Sequence, residues 1–305
     1  MNIDHTHSLP PAAAPDSTAA RFAVATIAIG VAVLALKLAA ARLTGSVALW
    51  SDALESIVNV VAAAGTLIAI RVAARPPDAS HMFGHGKAEY LSAVAEGVLI
   101  VVAAIAILQE AWTGLAHPRR LEAPASGLLL NAAASLLNGV WAATLLRAGR
   151  RLRSPALSAD GRHLLTDVAT SAGVLAGVWL AAATGIPWLD PALAAAVGVY
   201  VIWAGWRVVS HSIGGLMDAA PDETTLTRLR ATIAATIAAE PAFGYHGLRA
   251  RTAGRVTFIE FVLSVPGALP VATAHRCCDA LEAALGRELP GARVVIHVEP
   301  ASRPA

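Results

Sequence analysis

Charge is what this sequence has least of. Asp, Glu, Lys and Arg together make up 14% of its 305 residues, and the net charge is +2. Soluble domains carry about a quarter charged residues, so lipid rather than water is the expected solvent for much of this chain. The small net charge, with its basic residues in short loops, argues against a nucleic-acid partner. The interleaved aromatic and Lys/Arg pattern of single-strand binders is missing as well. Cysteine is almost absent. Cys277 and Cys278 are adjacent and stand outside any CxxC pairing, so neither a structural disulfide nor an oxidising compartment is implied. Residues 1–20 lack a basic segment followed by a short apolar core and a cleavage site, so no cleaved signal peptide is expected. That stretch is polar and rich in Pro and Ala, and predicts a disordered tail; His5 and His7 within it leave open a weak metal-collecting role. No HExxH pair occurs, which speaks against a membrane metalloenzyme.

Long apolar runs are what the sequence does have. A spanning helix needs roughly 20 mostly apolar residues, and six segments qualify: Phe22–Ala41, Val47–Ala73, Tyr90–Trp112, Gly127–Leu146, Leu164–Ala183 and Pro191–Val209. Basic residues cluster between the second and third segments (Arg71, Arg75, Lys87). They cluster again between the fourth and fifth (Arg147, Arg150, Arg151, Arg153, Arg162). The positive-inside rule then places both termini in the cytoplasm. A transmembrane domain over 21–211 is followed by a more polar region over 212–305. There the pattern reads as a helix over Pro221–Glu240, strands over Tyr245–Thr252 and Val256–Val265, a helix over Pro270–Leu289 and a strand over Val294–Val298. This small α+β domain is marginal in size alone, so pairing with a second copy is expected.

Ionisable residues at membrane depth are expensive, about 2.5–3.5 kcal/mol each on insertion scales, and need a reason. The second segment carries Asp52, Glu55 and Asn59, spaced by three and four residues on one helical face. The fifth begins with His163 and Asp167, again four apart. Two such helices can close a four-ligand cage whose carboxylate, imidazole and amide donors suit zinc, iron, cobalt or manganese more than calcium. The alternative is a polar patch that joins helices by hydrogen bonds.

These residues sit in motifs that resemble the cation diffusion facilitator family. The second-segment stretch runs Ser51-Asp52-Ala53-Leu54-Glu55-Ser56-Ile57-Val58-Asn59, and the loop runs from Asp78 through His81, Gly84, His85, Gly86 and Lys87 to Glu89. The fifth segment holds His163-Leu164-Leu165-Thr166-Asp167. The likeness covers about Arg21 to Pro300. It implies a six-helix membrane domain followed by an α+β, ferredoxin-like and metallochaperone-like cytoplasmic domain that regulates and dimerises.

On that resemblance, Glu55, Asn59, His163 and Asp167 form the transport site, with Asp52 as a further contributor. Asn59 departs from the family's usual Asp, and Glu55 from its usual Asp or His. Asp78, His81 and His85 form a second, cytoplasmic loop site. His246, His275, His297 and Glu299 match metal positions of the cytoplasmic domain. Val262 stands there where relatives carry His, which leaves room for Cys277, Cys278 or Glu260 to compensate. Lys87 and Asp218 match a charge pair that locks the dimer near the membrane.

The expected protein is therefore a homodimeric, multi-pass transporter of the inner membrane. It would export a divalent metal, zinc first, in exchange for protons. It needs no permanent cofactor, and the metal ions are its substrate and potential regulator. An unperturbed imidazole titrates around pH 6.5, and ligands must shed protons to hold metal; His163 is thus the natural point of competition. A transport-deficient metal sensor on the same fold stays open, because Asn59 removes one charge.

Overall fold

The computed structural model describes residues 17–44, 47–116, 125–184, 186, 188–240 and 242–301. Side chains at several helical positions, Asp52 and Glu55 among them, lie outside that description, as do His5 and His7. The chain forms two compact units, Met1–Ile213 and Gly214–Ala305.

The first unit is all-helical: α1 Ser17–Thr44, α2 Val47–Ala73, α3 Ala88–Ala116, α4 Ala125–Arg151, α5 Pro155–Thr184 and α6 Leu189–Leu216. Four segments among the described residues are long and apolar enough to cross a bilayer: Thr18–Ala39, Ala88–Ala116, Leu129–Arg151 and Pro191–Leu216. α2 and α5, the other two expected spans, pass through side chains outside the description.

Most helices extend beyond their apolar windows, α5 most of all. It begins at Pro155 rather than near Leu164. Proline suits a first helical position, where its missing N–H has no intrahelical acceptor, and the Ser154 hydroxyl accepts from the Leu157 N–H at 3.3 Å as a cap. The polar residues Asp160, Arg162 and His163 therefore sit on continuous helix rather than in a loop.

Packing in this unit relies on small residues. Ala19 and Ala23 of α1, Ala142 and Leu145 of α4, and Ala156 and Leu157 of α5 are all fully buried in one cluster with Ile70 of α2. In the absence of a hydrophobic drive between helices in lipid, close backbone approach supplies the contact energy. Gly205 shows it: a Cβ there would lie 2.9 Å from both Ile100 and Val101 of α3. Trp141 of α4 adds a polar tie, its indole N–H donating to Thr26 of α1 at 3.0 Å.

The second unit is α7 Glu223–Ile237, β1 Gly244–Ala253, β2 Val256–Val265, α8 Val271–Glu288 and β3 Arg293–Pro300. Asp222, rather than Pro221, caps α7 by accepting from the Thr225 N–H at 2.9 Å, so the helix starts two residues later than expected. β1 and β2 form an antiparallel hairpin turned at Gly254, whose φ of 61° favours glycine. β3 runs parallel to β2, and α8 provides the crossover. The sheet order is β1-β2-β3. Alternation along β2 sends Ile259, Phe261 and Leu263 into a core with Leu229 and Ile233 of α7 and Leu281 and Leu285 of α8. Both helices thus cover one face of the sheet.

Candidate metal centre

α2 and α5 pack together, and their polar faces meet at Asn59, His163 and Asp167. The Asn59 amide nitrogen donates to Asp167 Oδ2 at 2.5 Å, and its Oδ1 lies 2.7 Å from His163 Nε2. Since the amide nitrogen serves Asp167, Oδ1 faces the imidazole as an acceptor, which puts the hydrogen of His163 on Nε2. His163 Nε2 and Asp167 Oδ1 are 4.0 Å apart. Both residues are 6% exposed. Two ligands on a four-coordinate zinc, each about 2.0 Å from the ion, stand roughly 3.3 Å apart. The pairs of potential ligand atoms bracket that spacing, His163 Nε2 and Asn59 Oδ1 at 2.7 Å and His163 Nε2 and Asp167 Oδ1 at 4.0 Å, so an ion would have to part the first pair and draw the second together. Glu55 precedes Asn59 by one turn of α2; its side chain, like that of Asp52, lies outside the described residues.

The loop between α2 and α3 gathers Asp78, His81 and His85. Their ligand atoms all lie within 4.8 Å of one another, the one such trio among the described residues. The loop is folded around the Asp78 carboxylate: Oδ1 accepts from the backbone N–H groups of Ser80 at 2.9 Å and His81 at 2.7 Å, and from the Ser80 hydroxyl at 2.7 Å. Hydrogen bonds to the charged form favour it, and they hold the Asp78 pKa down at about 2, the Ser80 hydroxyl contributing most. Oδ2 remains directed at His85 Nε2, 3.3 Å away. The two imidazole rings approach to 4.4 Å between centroids.

Two family descriptions match this chain: the cation efflux transmembrane domain over residues 23–217 and the cation efflux protein cytoplasmic domain over residues 221–301. The chain belongs to the cation efflux, or cation diffusion facilitator, family. Among its relatives are the transporter sll1263 of Synechocystis sp., 43% identical over 93% of this chain and 91% of that protein. The cation-efflux pump FieF of Pectobacterium atrosepticum is 33% identical over 92% of each. A solved structure of a putative zinc transporter, CzrB, is 41% identical over 27% of this chain and all of its own, with a TM-score of 0.26. A cation diffusion facilitator is a multi-pass membrane transporter and not an enzyme.

The cytoplasmic domain of this facilitator has its own polar row on the sheet face that α7 and α8 leave bare. His246 pairs in register with Val262, and Val262 with His297, so the two imidazole-bearing residues flank a valine across three strands. His246 Nε2 lies 2.7 Å from Glu299 Oε1. His275 is not brought to them within one chain. It stands on α8, on the other side of the sheet, where its Nε2 is 3.8 Å from Asp279. The cysteines stand on α8 with His275. Cys278 is buried in the core beside Leu281, and burial raises both thiol pKa values. Asp218 accepts from Arg251 at 3.0 Å within its own unit, while Lys87 sits half-buried just before α3.

Sequence reasoning missed three carboxylates of this facilitator. Glu89 accepts from Ser154 and Glu96 from Thr66, and both are 2% exposed. Asp160, 3% exposed, lies one turn before His163. The signal was present: Asp160, His163 and Asp167 are spaced i, i+3, i+7 along one face, and Glu96 stands inside an apolar window where a charge demands a reason.

Proposed function

We propose that this protein exports divalent transition-metal ions, zinc foremost, from the cytoplasm in exchange for protons, and does so as a homodimer in the bacterial inner membrane. The observation that carries the reading is the convergence of Asn59, His163 and Asp167 from two packed helices. An imidazole with carboxylates and an amide oxygen is a borderline-to-hard donor set suited to zinc, with iron, cobalt and manganese next. Glu55, one turn from Asn59, supplies the fourth ligand; with Asp167 it balances a divalent charge.

The proton linkage follows from the imidazole of His163. Nε2 carries a hydrogen while it faces Asn59 Oδ1. An ion binding at Nε2 moves that hydrogen to Nδ1 without net release; the competition is with the imidazolium, whose two nitrogens both carry hydrogen and leave no lone pair for the ion. Alternating exposure of the cage to the two sides turns this competition into exchange. Asp78, His81 and His85 at the loop collect the ion first. The basic loops place this loop and both termini in the cytoplasm. In the cytoplasmic domain, His246, His297 and Glu299 hold a regulatory ion, and His275 meets them from a second copy across the dimer.

Proteoliposomes loaded with metal- and pH-sensitive dyes test the whole reading. The expected result is zinc movement coupled to opposite proton movement, abolished by His163→Ala. Full transport by His163→Ala with unchanged pH dependence overturns the role of the cage. Zinc binding without any transport by the wild type would instead favour the sensor reading.

A further inference from the structure

The side of α5 that looks toward α6 carries a chemistry unrelated to the cage. A cavity of about 510 Å³ runs between α3, α5 and α6. Arg162, Arg207 and His211 line one part of it, and Leu165, Tyr200 and Trp203 are among the residues lining the rest. On α6, Trp203, Arg207 and His211 follow at i, i+4 and i+8, one stripe along the helix. The Arg207 guanidinium lies 4.9 Å from the Trp203 ring centroid. Arg162 lies within electrostatic reach of Arg207 and Arg150, and His211 within reach of Arg162. Among the described residues no carboxylate is ion-paired with Arg162 or Arg207.

The place of this cluster in the membrane is fixed by the chain. α6 ends at Leu216 and the cytoplasmic domain begins at 221, so the basic part of the cavity lies about two to three helical turns from the cytoplasmic helix ends. That is the depth of a headgroup boundary, where Trp and Tyr also gather. Two guanidiniums lining one cavity repel a divalent cation and attract an anion. Each guanidinium presents the fork of donors that grips a phosphate. The apolar stretch beyond them spans about 10 Å along α6 from Arg207 to Tyr200, enough for the first part of an acyl chain. Basic pockets between helices on the cytoplasmic side receive anionic headgroups by the same physics.

We propose that this groove binds one anionic phospholipid per chain, its phosphate held by Arg162 and Arg207 and its acyl chain laid along Leu165, Tyr200 and Trp203. Because Arg162 is the residue before His163, the lipid steadies the helix that carries half the cage. Transport therefore depends on anionic lipid.

The test is native mass spectrometry of the full chain in detergent, titrated with phosphatidylglycerol, with phosphatidylcholine, or with inorganic phosphate. The expected result is one retained phosphatidylglycerol per chain, preferred over phosphatidylcholine by about tenfold. That preference is lost in Arg162→Gln/Arg207→Gln and largely kept in Arg162→Lys/Arg207→Lys. Transport in phosphatidylcholine liposomes should rise when phosphatidylglycerol is added for the wild type, and not for the Gln pair. Equal retention of the two lipids by the wild type overturns the proposal, and needs no variant to fold. So does saturation of the groove by inorganic phosphate alone, an unchanged preference in the Gln pair, or a groove sealed against lipid by a second copy.

Discussion

Asn59 decides the charge of the cage. Its amide joins His163 to Asp167 in a single chain of hydrogen bonds, a task a carboxylate performs differently. Asn59→Asp replaces a donor facing Asp167 with a second negative charge. Two carboxylates so close cannot both ionise without a cation between them. The variant is expected to bind zinc at least about tenfold more tightly at neutral pH, an added charge-assisted contact being worth roughly 1.5–3 kcal/mol. Its affinity should also fall more steeply with acid, and competitive titration of wild type and variant with zinc, cobalt and manganese reads both effects. Unmoved affinity and selectivity would remove Asn59 as a determinant.

At the loop, Asp78 works as both turn and ligand. Its folded pKa, about 2, is below the ordinary carboxylate value of 3.8. Its contribution to the loop is therefore present at neutral pH and is lost only as pH falls through about 2. Asp78→Asn keeps an acceptor for Ser80 and His81 but drops the charge. The loop should stay folded while its zinc affinity falls, measured by calorimetry on the full chain. Acidification from neutral to about pH 4 leaves Asp78 ionised, so metal lost over that range belongs to other groups.

At the level of elements, the site depends on how closely helices approach. A Cβ on Gly149 of α4 would lie 2.8 Å from the backbone nitrogen of Ser158 on α5. Backbone cannot swing aside as a flexible side chain can. Gly149→Ala is expected to destabilise the helical unit by about 1–3 kcal/mol and to shift α5, so thermal melting and transport should fall together. Gly65→Ala on α2, where nothing lies within 4 Å of the added carbon, is the control and should leave melting unchanged or raise it. α5 also shows where hydropathy stops being informative. Its apolar window begins near Leu164, yet the capped, proline-started helix begins at Pro155. That extra length puts Asp160, Arg162 and His163 on a rigid scaffold.

For the whole molecule, the two units have different stabilising physics. The helical unit buries alanine and glycine against backbone; the cytoplasmic unit has an ordinary apolar core around Leu281, which is fully buried. Leu281→Ala should cost the cytoplasmic unit about 2–5 kcal/mol, the usual loss for an unfilled core leucine. All seven tryptophans precede residue 214, so their fluorescence does not follow this loss. Circular dichroism and limited proteolysis after residue 214 do, and persistence of the protected domain in the variant at wild-type temperatures would contradict it.

The sequence by itself settled what is local or compositional. The order and rough place of the segments came from apolar runs, the strands from alternation, and the candidate ligands of α2 and α5 from spacings of three and four, because a helix repeats every 3.6 residues wherever it is placed. The assignment of those ligands to a transport site came from family resemblance. Tertiary structure alone decided which faces meet. Asn59 reaches Asp167 across 108 residues of chain, His275 lies across the sheet from His246, and Arg162 shares a cavity with Arg207. Each depends on the rotation of one element against another. That rotation is set by the summed packing of many small contacts, which no short stretch of sequence contains.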